Sequence, residues 1–440
     1  MSTGLILTIL IIGLLIFGQP LFVIMGSITA FCYVFIKGDE MKVILEDLSF
    51  AMDKEVLLAI PLFILAGNFM TQGSIARRLV RIATSLTAPI PSGLAIAGVF
   101  SCAVFAAISG SSPVTLIAVG SIMYPALIRA GYTTEFSMGM LSTGGTLGII
   151  IPPSIPMIIY SIMVGVSAKD LFIAGIGPGA VLTFLIMGYS LFVGWKMPRG
   201  KWEMKEIITA LKEGILSMLM PIIILGGIYT GFFTPTESAA VAVGYALIIE
   251  VFIHREMKLH HIPKVLSESA EMLGTLILIL ILAVSLNKFM TFEEIPLLLV
   301  EKLKLLIDNK IAFLIGVNIM LLIVGCFMDV MSAILVLAPL LAPMAREYGV
   351  DAIHFGIIMI VNLEIGYLTP PVGINLFVAS GIFNQPLGKV IKSVLPLVGI
   401  MLFGLMIITW IPKISTFLVG DAKASGLELL KEPSGTTEEQ

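Results

Sequence analysis

Charge is scarce in this sequence: 12% of its 440 residues are Asp, Glu, Lys or Arg and 58% are hydrophobic. Soluble domains carry about 25% charged residues, so a soluble fold is excluded. The net charge of -3 leaves no basic face, and no nucleic-acid partner is expected. Cysteine is nearly absent. Cys32, Cys102 and Cys326 each sit in an apolar run, which excludes a disulfide framework and any metal-ligand spacing. The histidines, His254, His260, His261 and His354, lie in or near polar connectors and never form H-E-x-x-H, which excludes an intramembrane metalloprotease. No enzyme activity and no cofactor are expected. No Lys or Arg precedes Lys37, so the first apolar run lacks the basic start of a cleaved signal peptide and is expected to be a retained helix.

Long apolar runs are what the chain does have, and one organises the rest. Leu141–Tyr160, LSTGGTLGIIIPPSIPMIIY, is apolar enough for a bilayer, yet Gly144, Gly145 and Gly148 precede Pro152-Pro153. Proline removes a donor and clashes with the preceding turn, so a helix must break near Ile151. Lipid cannot satisfy the freed backbone groups; a break at membrane depth has to be buried in protein or line a cavity. Asn362–Phe377, NLEIGYLTPPVGINLF, repeats the pattern with Gly366, Thr369-Pro370-Pro371 and Gly373. Two interrupted helices in corresponding halves point to the binding site of a secondary transporter.

Read in order, the chain predicts helices at 4–17 and 20–36, an amphipathic interfacial arm at Lys37–Lys54, and a span at 55–71. A short polar link carrying Arg77, Arg78 and Arg81 follows. Apolar arms at 93–108 and 113–128 flank Ser109-Gly110-Ser111-Ser112-Pro113, as two spans or as one re-entrant hairpin over 92–129. A broken helix at 135–165, a span at 174–195 and a cytoplasmic link at 196–213 complete the half. The second half retraces these steps. A helix at 214–232 turns at Phe233–Glu237 into one ending near Ile253; then come a charged connector, His254–Glu271, and a span at 272–290. Arms at 310–326 and 330–345 flank Gly325–Asp329 (hairpin 310–346), and a broken helix at 354–382 and a span at 388–411 follow. The predicted fold class is therefore an all-α polytopic membrane protein of two repeats, 1–195 and 214–412, with a polar tail at 413–440. If both hairpins re-enter, each half crosses five times and the repeats are inverted. Loop charge places Arg77, Arg129, Lys196, Arg255 and Lys389 in the cytoplasm and both termini in the periplasm.

A helix break offers exposed carbonyls to a cation on one side and N–H groups to a carboxylate on the other. For a sodium ion the candidates are Ser109, Ser111, Ser112 and Thr146 with the backbone at Gly148, Ile151 and Pro153. In the second half they are Asp329, Gly366 and Thr369. For an anionic substrate they are Ser112, Thr143, Gly145, Asn362, Glu364, Pro371 and Asn375. The competing reading of each Ser or Thr is a bond back to its own helix. Glu237 reads as a helix-start partner, and Arg346 and His354 as interfacial residues. A channel is the first rival function, disfavoured by the lack of a repeated filter-like loop.

SGSSPVTLIAVGSIMYP at 109–125, GGTLGIIIPPSIPMIIY at 144–160, YTGFFTPTESAAVAV at 229–243 and NLEIGYLTPPVGINLF at 362–377 resemble the large membrane subunit of tripartite ATP-independent periplasmic (TRAP) transporters. The likeness runs from about 4 to 412. It implies an elevator-type carrier driven by sodium, importing an organic acid such as a C4-dicarboxylate or a sugar acid. It also implies a small membrane subunit (Q-type) and a periplasmic substrate-binding protein (P-type) as partners, and a bacterial inner-membrane location. Residues 92–165 and 310–382 are expected to move as one transport body against a scaffold. With no extra four-helix stretch, the chain resembles the unfused form. The alternative is a self-sufficient sodium/dicarboxylate symporter of a related family, whose Ser-Asn-Thr hairpin tips this sequence lacks.

Overall fold

A computed structural model describes residues 19–38, 55–304, 307 and 309–420, with scattered positions between 6 and 17 and at Lys42 and Glu46. The Lys37–Lys54 arm falls almost wholly outside the described residues, as do most of the first helix and everything after Gly420. All described regular elements are helical, and ten are long and apolar enough to cross a membrane.

The first half runs α1 (Leu21–Phe31), α2 (Ala59–Gln72), α3 (Ile75–Thr87), α4 (Gly93–Ser109), α5 (Ser112–Arg129), α6 (Thr134–Ile150), α7 (Ile155–Val164) and α8 (Ala168–Val193). The second runs α9 (Met204–Thr230), α10 (Pro235–Leu247), α11 (Ile262–Phe292), α12 (Ile295–Lys304), α13 (Lys310–Phe327), α14 (Val330–Glu347), α15 (Ala352–Gly366), α16 (Ile374–Phe383) and α17 (Leu387–Trp410), closed by the short α18 (Lys413–Thr416). From α2 and α11 onward the two halves follow the same order: a short helix, two arms, a helix in two pieces, a long span. Even the elements before them correspond, because α1 and α10 both end in a π-helical turn, Cys32–Lys37 and Ile248–Ile253.

Local chemistry sets these boundaries. Gly110, at φ 60°, ends α4, and Asp329 caps α14 by accepting from the Ser332 N–H at 2.8 Å. Thr234 and Glu237 form a reciprocal capping box at the start of α10, as expected for Glu237. Pro152-Pro153 and Pro370-Pro371, both cis, stand in the two breaks.

Several expectations are corrected. Arg77, Arg78 and Arg81 do not lie on a link but on α3. Its Ile75, Leu79 and Ile82 are buried, and Arg81 pairs with Glu206 at 2.8 Å and Glu213 at 2.6 Å on α9. A high charge count hid an amphipathic helix. Half of the 196–213 link is the start of α9, which runs for 27 residues. The 254–271 connector is continuous from Ile262 with the following span, and α12 occupies part of the stretch between 290 and 310, to which the sequence assigned no element. His354, read as interfacial, is packed inside the protein at 2% exposed, with Nε2 near the Thr409 carbonyl and Nδ1 near Ser415. Ser415 is itself buried in α18, so the polar tail does not begin at 413.

The first pieces of the two broken helices form the centre. Every residue of α15, and every residue of α6 from Phe136 onward, is buried. This is where small residues matter: a Cβ on Gly139 would meet the Ser393 carbonyl at 2.1 Å. Tyr160 of α7 donates to the Ala352 carbonyl at 2.7 Å, and its ring fills the space a side chain at Gly356 would need, joining the halves.

Candidate functional site

Each hairpin tip meets the break of its own half. In the first half, Ile155 N–H points to the Gly110 carbonyl at 3.5 Å, and a Cβ on Gly110 would lie 3.0 Å from the Pro153 carbonyl. In the second, the N–H groups of Val372 and Gly373 point to the Cys326 carbonyl at 3.2 and 3.4 Å. Close approach of backbones is what glycine provides here. A Cβ on Gly148 would lie 2.4 Å from the Ser111 carbonyl, and one on Gly366 would lie 2.4 Å from the Gly325 carbonyl carbon.

Around the first contact, hydroxyls and carbonyls crowd together. Ser109 Oγ is 2.7 Å from Thr115 Oγ1, and Thr115 donates to the Ser111 carbonyl at 2.9 Å. Ser109, Ser111, Ser112 and Thr115 are all buried. The donor set is oxygen only, which suits an alkali cation. Thr146 turns back on its own helix, donating to the Thr143 carbonyl at 2.6 Å, and Ile151 is half-buried at the break. In the second half Asp329 is engaged by Ser332 through both its backbone N–H and a short hydroxyl contact, while Tyr367 OH accepts from Val330 N–H at 3.0 Å. Thr369 donates to the Ile365 carbonyl at 2.9 Å.

A cavity of about 380 Å³ lies between the hairpins. Ser111 and Pro113 of the first tip, Asp329 and Ser332 of the second, Tyr367, and Leu276 and Ile279 of α11 are among its walls. None of the residues assigned to a substrate is among this lining. Ser112, Glu364 and Asn375 form one cluster: Asn375 Nδ2 makes a short contact with Ser112 Oγ and lies 3.3 Å from Glu364 Oε1. Asn362 faces away, donating to the Asn318 side chain at 2.7 Å. Thr143 is buried, and its Oγ1 has no hydrogen-bond partner among the described residues. Gly145 serves helix packing, since a Cβ there would meet Leu116 Cβ at 2.8 Å. Pro371 is exposed at the open side of the second break, whereas Pro152 and Pro153 are buried.

Three contributors escaped the sequence reading. Thr115 lies one turn past the tip, and Asn318 stands alone in an apolar run. Glu250 is fully buried, with Oε1 accepting from the Ser74 and Ile75 N–H groups at 2.9 Å each. The signal for Glu250 was present: an acid inside ALIIEVFI is costly in a membrane helix unless it has partners.

Paired hairpins meeting paired helix breaks beside a partly open cavity have the architecture of a multi-span membrane permease. Residues 8–414 match the family "Tripartite ATP-independent periplasmic transporter, DctM component". The chain is 45% identical over 365 residues to the C4-dicarboxylate TRAP transporter large permease protein DctM of Pseudomonas aeruginosa, covering 82% of this chain and 86% of that one. It is 41% identical over 374 residues to the isethionate TRAP transporter permease protein DctMQ of Oleidesulfovibrio alaskensis, covering 84% of this chain and 59% of that longer one. In fold it is similar to the YdaH transporter of Alcanivorax borkumensis, with a TM-score of 0.57 at 14% identity over 86% of each chain. The chain belongs to the DctM family, the large permease components of TRAP transporters, and is a multi-pass inner-membrane protein.

Proposed function

We propose that this chain is the large permease subunit of a sodium-coupled secondary transporter that imports a small organic acid. The acid is delivered by a periplasmic binding protein, with a small membrane subunit docked on the scaffold. The observation that carries the reading is the contact of each hairpin tip with its own helix break, at the Gly110 and Cys326 carbonyls, on either side of one cavity. Each contact gathers backbone carbonyls and side-chain oxygens that one small cation could draw on, while the cavity between them is large enough for a small acid. The related permeases named for C4-dicarboxylate and isethionate both concern small organic anions, which supports that substrate class. The two halves act as inverted repeats. Residues 92–165 and 310–382 slide as one body, and both termini face the periplasm. The cation sites are Ser109, Ser111 and Thr115 with Gly148, Ile151 and Pro153, and Asp329 with Gly366 and Thr369.

Reconstitution tests this. Proteoliposomes holding the permease, its small subunit and the loaded binding protein are expected to accumulate the acid with an inward sodium gradient. Equal accumulation when potassium replaces sodium would refute the coupling.

A further inference from the structure

Glu364 is a fully buried carboxylate in the last turn of α15, just ahead of the second break, and among the described residues its Oε2 has no hydrogen-bond partner. Its neighbours are neutral. Asn375 Nδ2 lies 3.3 Å from Oε1, and Ser112 Oγ touches that same amide. Among the described residues no Lys, Arg or His forms an ion pair with it. Charges on the packed elements lie elsewhere: Lys310 of α13 donates to the Gly349 carbonyl, and Lys389 of α17 pairs with Glu135 of α6 at 3.3 Å. Arg346 ends α14, Lys169 and Asp170 begin α8, and Lys413 begins α18, while α7 and α16 carry no charge. On α15 itself, His354 is engaged by Ser415 and Thr409. That leaves Tyr367, nearly a turn beyond Glu364, and Asp329, which is held by Ser332. An ionised carboxylate without a counter-charge is very costly at this depth.

We propose that Glu364 is a proton-carrying site of the transport cycle. Its carboxyl holds a proton in this conformation and gives it to water when the cavity opens. The place fits the task. Ser112, Glu364 and Asn375 come from three elements, two of them on either side of the second break and the third at the first hairpin tip. Ser111 and Tyr367, which neighbour Ser112 and Glu364 along the chain, are on the cavity wall. A shift of the tip or the break thus exchanges dry neighbours for water. Asn375 serves both forms: its NH₂ donates to the carboxylate, and its reversed amide accepts from the acid. In the step an O–H bond of the carboxyl breaks, its electron pair stays on the oxygen, and the proton passes to a cavity water.

The release step rests on the transport reading; the protonated carboxyl does not. Infrared difference spectra of the purified chain at neutral pH are expected to show a protonated-carboxyl C=O band. Glu364→Gln should remove it, and Ser112→Ala should shift it. No such band in the wild type overturns the proposal. In proteoliposomes of the full complex, a lumenal pH dye should respond in step with acid uptake, and the response should vanish in Glu364→Gln. Wild-type uptake with no proton movement would overturn the carrying role. A wild-type complex that takes up no acid at all would instead sink the transport reading, with the infrared band still deciding the protonation.

Discussion

Two glycines separate packing from propensity. Gly366 faces the Gly325 backbone so closely that a Cβ would lie 2.4 Å from its carbonyl carbon, and neither backbone can give way without opening the tip-break contact. Gly366→Ala is expected to destabilise the protein by about 1–3 kcal/mol, the usual cost of overpacking. Gly381, in the interior of α16, has nothing within 4 Å. Gly381→Ala should be neutral or stabilise by up to about 1 kcal/mol, from helix propensity alone. Thermal unfolding in detergent checks both; equal midpoints for the two variants would show that the close approach is not what holds the break. The proposed cation sites give a second prediction. Thr115→Val removes the hydroxyl that bridges Ser109 and the Ser111 carbonyl, and Asp329→Ala removes the carboxylate of the second site. Each should raise the sodium concentration for half-maximal uptake several-fold, and unchanged sodium dependence in both would dismiss the assignment.

Among whole helices, the π-helical turn that ends α10 grips the joint between α2 and α3 through Glu250, with His254 Nδ1 3.1 Å from Ser74 Oγ beside it. Glu250 fills the space beside Gly73 and accepts from the N–H groups of Ser74 and Ile75 at the start of α3, where a helix start favours a negative group. Glu250→Ala would strand those donors, at a cost of about 1–3 kcal/mol. Glu250→Gln, which keeps one acceptor oxygen, should recover part of the loss in an unfolding assay; identical losses would show that side-chain volume, not hydrogen bonding, is at work. Motion is also a property of helices against helices. Ile279 of α11 and Met331 of α14 face one cavity from the proposed scaffold and the proposed moving body. A cysteine pair at these positions should crosslink on oxidation and arrest uptake, with recovery on reduction. Full uptake by completely crosslinked protein would rule out relative sliding.

The assembly sets the last prediction. The described chain has no soluble receptor fold of its own, only helices, and its outer surface is broadly apolar. Purified alone into proteoliposomes, it is expected to move no acid even with a sodium gradient. Uptake should appear when the small subunit and the loaded binding protein are supplied together. Robust sodium-driven uptake by the isolated chain would favour the self-sufficient symporter instead.

Helix order, both breaks and both hairpin tips were legible along the chain, because each rests on local chemistry. Proline stops a helix wherever it stands, and a spanning helix announces itself by length and hydropathy. Glu237 was placed correctly for the same reason: a capping box is contained in four consecutive residues. What the linear pattern misjudged was amphipathic or continuous structure under dense charge. In α3 the arginines masked a buried face, and at Ile262 a charged start was merely the solvent end of a long span. The site shows the same division. Gly148 and Pro153 belong together through the break itself. Tertiary packing alone decided that Ser111 and Asp329 share a cavity, that Gly145 answers to Leu116, and that Glu364 meets Asn375 and Ser112 rather than the cavity. These pairings join residues up to 263 positions apart, and no local preference encodes which helix face another helix will cover.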